Sequence, residues 1–136
     1  MRVLVYGGRR YNNFRRVFAE LDAIHARTRI TVVIQGESTG ADALAKTWAQ
    51  TRGIPTADFK ADWDDLSVPV VRRKVRVDGS VYNAAVGGTR NKAMMAEGRP
   101  DIAVEFPGGD GTSNMRRIVQ QEQKRRALIH IQVKKY

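Results

Sequence analysis

Residues Asp101–Met115 read DIAVEFPGGDGTSNM. Asp101–Phe106 is an apolar, strand-like run, and Pro107–Thr112 (PGGDGT) predicts a tight turn, with three glycines in the four positions Gly108–Gly111. Met115, Ile118 and Val119 then recur at helical spacing and predict a last helix. Strand, glycine turn, helix is the unit from which open parallel sheets are built.

The flanking chain is organised in the same way. Arg2–Tyr6 (RVLVY) predicts a strand stopped by Gly7-Gly8. Asn12 or Asn13 then caps a helix whose apolar stripe is Phe14, Val17, Phe18, Leu21 and Ile24. Ile30–Ile34 (ITVVI) predicts a strand covered on both faces. The turn Gln35–Gly40 leads to Ala41, Leu44, Ala45 and Trp48 at helical spacing, with Gly53 and Pro55 as the stop. A short strand is expected near Thr56–Phe59, a short helix over Asn91–Glu97 and a final strand over Ala127–Val133. Residues 68–84 (VPVVRRKVRVDGSVYNA) read as two extended arms around Asp78-Gly79, a hairpin inserted into the main fold. We therefore expect a single α/β domain over 1–136, with a mostly parallel sheet and helices on both faces. Right-handed crossovers bring the glycine turns to one edge of such a sheet, where ligands of these folds bind.

Composition narrows the chemistry. The 136 residues carry 24 Lys and Arg against 14 Asp and Glu, a formal charge of +10, which favours an anionic partner such as nucleic acid, a nucleotide or a phosphorylated metabolite. Without cysteine there is no disulfide framework, thiolate metal site or Cys nucleophile. With two histidines, His25 and His130, no metal site and no resident cofactor are expected. The apolar run at Arg2–Tyr6 is too short for a membrane span, so a cytoplasmic protein without membrane contact is expected.

Candidate ligand-binding residues fall on the glycine turns. Gly108, Gly109 and Gly111 let backbone N–H groups approach a phosphate, and Thr112 or Ser113 is placed to cap the next helix. In QGESTGAD, Gly36, Ser38 and Gly40 offer amides and hydroxyls to a phosphate or ribose. Asp42 either complements the helix dipole or meets the ligand, and Glu37 is either a loop acid or a catalytic one. GGTRNKAMM puts Arg90 and Asn91 at a helix start after a flexible glycine pair. There Arg90 suits phosphate and Asn91 a cap, base or sugar, while Met94 and Met95 read as core. In GGRRY, Gly7, Gly8 and Arg9 or Arg10 reach the same crevice, and Tyr11 offers a stacking surface. Arg72, Arg73, Lys74 and Arg76 on the hairpin form a candidate nucleic-acid surface.

Taken in order, GGRR, GESTGADALAKTWA, Ala61-Asp62-Trp63, GGTRNKAM and PDIAVEFPGGDGT resemble the YspA-like branch of the SLOG superfamily, the Rossmann-like relatives of Lonely-guy and DNA-processing protein A. The resemblance spans Arg2 to about Val119, and the hairpin is similar to one carried by some members, often in phages. It implies a Rossmann-like three-layer sandwich on a five-stranded sheet, a nucleotide-derived ligand and pairing into a homodimer or higher homo-oligomer. Lonely-guy relatives hydrolyse the N-glycosidic bond of nucleoside monophosphates with an arginine, matched by Arg90, and a glutamate in PGGxGTxxE, where Met115 stands instead. A thioether cannot stabilise an oxocarbenium ion or activate water. Glu37, Asp42 or Asp110 would have to supply the missing carboxylate. The leading expectation is thus a nucleotide-binding sensor, sequestering or accessory protein. The alternatives are a phosphoribohydrolase-like N-glycosidase using Arg90 and Glu37, and a single-stranded nucleic-acid binder using the hairpin cations.

Overall fold

The computed structural model describes residues 1–135. Five parallel strands form the main sheet: β1 (Arg2–Tyr6), β2 (Val32–Gln35), β3 (Thr56–Asp58), β6 (Ile102–Glu105) and β7 (Ile129–Gln132), in the order β3-β2-β1-β6-β7. The inserted hairpin pairs β4 (Arg73–Val75) with β5 (Val81–Asn83), antiparallel and outside the main sheet. Strand β2 begins two residues later than the β-branched run suggests; the Ile30 amide is taken by His25 Nδ1 at 3.0 Å rather than by a neighbouring strand.

Helices α1 (Phe14–Arg27) and α2 (Ala41–Arg52) lie on one face of the sheet, over Val3, Val5, Val33, Ile102 and Val104. Helices α3 (Val86–Ala96) and α4 (Asp110–Gln123) cover the other, over Leu4, Ile34 and Ala103. The result is a three-layer sandwich. Side chains alternate between the faces of a strand, so β1 feeds both cores: Val3 and Val5 one, Leu4 and Tyr6 the other. Each such aliphatic residue stabilises the fold by about 1.5–3 kcal/mol on burial. Asn13 caps α1 through its side chain, accepting from the Arg16 amide at 3.1 Å. Asp22 ties α1 to α2 by accepting from Trp48 Nε1 at 2.9 Å and from Arg52 at 2.8 Å.

The chain runs outward from β1 through β2 to β3, and from β6 to β7 on the other side. The direction therefore reverses between β1 and β6, the position where ligands bind in open parallel sheets.

Two helix starts differ from expectation. Helix α3 begins at Val86 rather than Asn91, so Gly87-Gly88 is its first turn and not a flexible pair before it. Trp63 is the reason: a Cβ on Gly87 would lie 2.6 Å from Trp63 Cη2, so glycine permits helix-to-ring contact here. Helix α4 begins at Asp110 with Gly109 as its cap residue, so neither Thr112 nor Ser113 caps it. Thr112 is buried beneath Gly108, and Ser113 Oγ bonds back to the Gly109 carbonyl at 3.2 Å. Met94 and Met95 are core, as expected. Among the described residues no helix is long and apolar enough to cross a membrane.

Candidate functional site

The three glycine turns that follow β1, β2 and β6 meet at the carboxyl edge of the sheet. The Gly8 amide donates to the Pro107 carbonyl at 3.0 Å, joining the β1 and β6 turns. The Ala41 amide donates to the Gly8 carbonyl at 3.2 Å, and Thr39 Oγ1 to the Arg9 carbonyl at 3.0 Å, joining the β1 and β2 turns. Gly40 has φ +78° and packs against Gly8 and Arg9, a conformation and a space that exclude a side chain. Gly7 lies deeper, against Ala41 and Phe106.

The β2 turn is occupied by the protein's own groups. Asp42 Oδ2 accepts from the amides of Gly36 at 3.2 Å and Ser38 at 3.3 Å, so these amides are not free for a phosphate, contrary to the sequence reading. Burial raises the Asp42 carboxyl to about 6, opposed by the nearby Arg90 and by those two amides. Arg90 Nη1 donates to the Gly36 carbonyl and Arg90 Nε to Asn91 Oδ1 at 2.9 Å, and a Cβ on Gly36 would overlap the guanidinium. Asn91 does not cap α3. It lies in the second turn, buried, and donates to Asn114 Oδ1 of α4 at 3.0 Å. Glu37 sits at φ +58° with its carboxylate held by Lys46 at 2.6 Å and Gln35 at 3.0 Å, on the β3 side of the turn.

The open part of the rim is the junction of β1 and β6. A groove of about 460 Å³ is lined there by Gly8, Arg9, Arg10, Pro107, Gly108, Gly109 and Lys135, with Tyr11 at its wall. The half-buried Tyr11 ring packs at a tilt on Phe106, centroids 5.3 Å apart. Among the described residues the space above Gly109 and Gly111 is open: a Cβ on either meets nothing within 4 Å. Among the described residues no side chain caps α4 through a hydrogen bond, and the first amides of a helix have no partner within it. Those amides and the positive end of the α4 dipole face the same edge as Arg9 and Arg10. Asp110, in the first turn, is exposed and offsets part of this charge.

Met115, where hydrolytic relatives would carry the acid, is 1 % exposed and sits in the apolar core of Leu4, Tyr6, Met94 and Val119. The catalytic pairing expected of Arg90 with Glu37 has no hydrogen bond or ion pair between the two side chains among the described residues.

Two features went unread in the sequence. Lys135 joins the groove from beyond the last strand, and nothing in a terminal Lys-Lys signals this. Glu105, buried at the end of β6, accepts from Tyr6 Oη at 2.9 Å and from Arg116 Nε at 2.9 Å, and Tyr6 Oη lies 2.8 Å from His130 Nε2. Burial pushes Glu105 up, but Arg116 and Tyr6 more than offset it and hold the carboxyl below its usual value. Burial likewise lowers His130 and raises Tyr6. An acid inside the otherwise apolar run IAVEF was the available signal.

The hairpin does not present its four cations together. Arg73 lies opposite Asn83 on the face it shares with Val75, whereas Lys74 lies opposite Tyr82 on the other face. Arg76 is paired with Asp64 at 3.0 Å.

Comparison with protein families finds one described as YspA, cpYpsA-related SLOG family (YAcAr), matching residues 1–65. That segment includes β1, β2, the first two glycine turns and Trp63. No curated protein matches the chain.

Proposed function

Because its residues 1–65 match the YspA, cpYpsA-related SLOG family, we propose that the chain binds a nucleotide or nucleotide-derived phosphorylated ligand at the junction of β1 and β6. In this reading the phosphate lies over Gly109 and Gly111 against the first amides of α4. Arg9, Arg10 and Lys135 neutralise it, outnumbering the Asp110 carboxylate. The observation that carries the reading is the contact of Gly8 with Pro107 and Gly108, which opens a cationic groove beside an uncapped helix start. Helix starts of this kind accept anions through oriented amides and the dipole together.

Arg90 takes a different role from the one its position in the family motif suggests. Its guanidinium braces the β2 turn through Gly36 and faces the buried Asp42, so it shapes the wall beside the phosphate site. The core position of Met115 supports binding over glycosidic hydrolysis.

Calorimetric titration with AMP, adenosine and inorganic phosphate tests the proposal. AMP is expected to bind at least about tenfold more tightly than adenosine, a difference of about 1.4 kcal/mol. The advantage should vanish in Arg9→Ala/Arg10→Ala. Equal binding of adenosine and AMP, or no binding of either, would contradict it.

A further inference from the structure

Two adjoining aromatic rings, Trp63 and Tyr82, are flanked in one strip by a cation of the β1 turn on one side and cations of the hairpin on the other. The Arg9 guanidinium lies 4.7 Å from the centroid of Trp63, Trp63 meets Tyr82 edge-on at 6.3 Å, and Arg76 lies 4.9 Å over Tyr82. Alternation along β4 adds Lys74, opposite Tyr82, and Arg72 to the same face. Arg72 and Lys74 are exposed, and neither has an acid within 4 Å among the described residues. Between residues 68 and 84 the only carboxylate is Asp78, which is bonded to Ser80 at the tip.

The strip is held rigidly. Asn83 is buried at the hairpin base, where its side chain donates to the carbonyls of Asp65 at 3.0 Å and Val70 at 3.2 Å and accepts from the amides of Arg72 and Ala85. Its own amide donates to the Trp63 carbonyl at 2.6 Å. A cavity of about 430 Å³ lies beside Trp63, lined by Lys60 and Arg76 and also by Asp62 and Asp64, the latter paired with Arg76. Of the strip's cations, Arg9 and Arg76 rest on aromatic rings, while Arg72 and Lys74 are exposed.

From this arrangement we propose that the Arg72–Lys74–Arg76–Tyr82 face, continued through Trp63 to Arg9, binds the backbone and bases of single-stranded nucleic acid. Arg72 and Lys74 meet phosphates. Tyr82, Trp63 and the guanidinium planes resting on them offer flat surfaces to unpaired bases, which a duplex keeps stacked internally. An acidic protein would use the cations but not the rings. The proposal is independent of the phosphate site at α4, which shares only Arg9 with the strip.

Fluorescence anisotropy with a labelled oligothymidylate about 15 nucleotides long, near the upper range of single-strand site sizes, tests it. A duplex of equal length and polyglutamate serve as comparison ligands. The single strand should bind more tightly than either. Arg72→Ser/Lys74→Ser should weaken it by at least about fivefold and lower the log–log salt slope by about 1.4, two contacts at about 0.7 each. The same variant should leave AMP binding unchanged. Tyr82→Leu, which keeps apolar bulk, should weaken the single strand at least about threefold and leave polyglutamate unaffected, since stacking on a ring contributes separately from charge. Equal binding of duplex or polyglutamate, unchanged binding by the Arg72/Lys74 variant, or no binding by the wild-type protein would overturn the proposal.

Discussion

Gly108 rests on Gly8 so closely that a Cβ on Gly108 would stand 2.6 Å from the Gly8 amide nitrogen. That contact is where the strand order reverses, and it brings turns from two ends of the chain, 100 residues apart in sequence, into one rim. Gly109, the next residue, has open space where its Cβ would be.

The two neighbours should therefore behave differently. Gly108→Ala forces the β1 and β6 turns apart and is expected to cost about 1–3 kcal/mol of stability, as overpacking does. Gly109→Val should keep the circular-dichroism spectrum and cost about 1 kcal/mol, as an apolar residue at a helix N-cap does, yet weaken AMP at least about tenfold by filling the space over α4. Thermal unfolding and calorimetry on the two variants separate these effects.

Asp42 should make stability depend on pH in an unusual direction. Its carboxyl is raised from 3.8 to about 6 in the folded protein, so the folded state holds the proton more tightly than the unfolded chain. Its contribution is largest below about pH 4 and declines as pH rises from about 4 to about 6, by about 3 kcal/mol in all. Asp42→Asn keeps an oxygen for the Gly36 and Ser38 amides and removes the titration. Urea unfolding at pH 4.5 and pH 7 should show a smaller pH difference for this variant than for the wild type.

Gly87→Ala opposes two effects of known size. Alanine in place of glycine within a helix is worth up to about 1 kcal/mol by propensity. A Cβ at this position would meet the Trp63 ring at 2.6 Å, and overpacking costs about 1–3 kcal/mol. The clash should win, giving a net loss of stability and a shift in tryptophan emission as Trp63 moves. A gain in stability without an emission change would show that the ring does not hold this position.

Met115→Glu places a carboxylate among Leu4, Met94 and Val119. An unpaired buried charge neutralises by raising its pKa, so the variant should be several kcal/mol less stable at pH 8 and recover part of the loss at pH 5. Thermal melts at the two pH values measure this. Equal loss at both would mean the side chain escapes to water.

Much of the architecture was legible because β-branched runs and glycine stops are local signals. β1, β6 and the Val17, Leu21 and Ile24 part of the α1 stripe follow directly from RVLVY, DIAVEF and the helical spacing, whereas Phe14 of that stripe is 53 % exposed. What escaped was set by contacts distant in sequence. Gly87-Gly88 reads as a break, yet it continues a helix, because Trp63, 24 residues earlier, needs the missing Cβ. The Gln35–Asp42 turn reads as a row of free amides, but Asp42 curls back onto two of them, which no spacing rule distinguishes from dipole complementation. Arg90 reads as a phosphate ligand and is found bracing Gly36, 54 residues away. The candidate site thus keeps Arg9, Gly109 and Gly111 from the sequence reading, while the β2 turn and Arg90 are engaged with each other and Lys135 joins the groove.

Amide chemical-shift mapping on the ¹⁵N-labelled protein titrated with AMP tests that placement most directly. The account predicts that the largest shifts fall on Arg9, Gly109, Asp110 and Gly111, with Gly36 and Ser38 little changed because Asp42 already holds their amides. Shifts centred on Gly36, Ser38 and Arg90, or none at the start of α4, would contradict it.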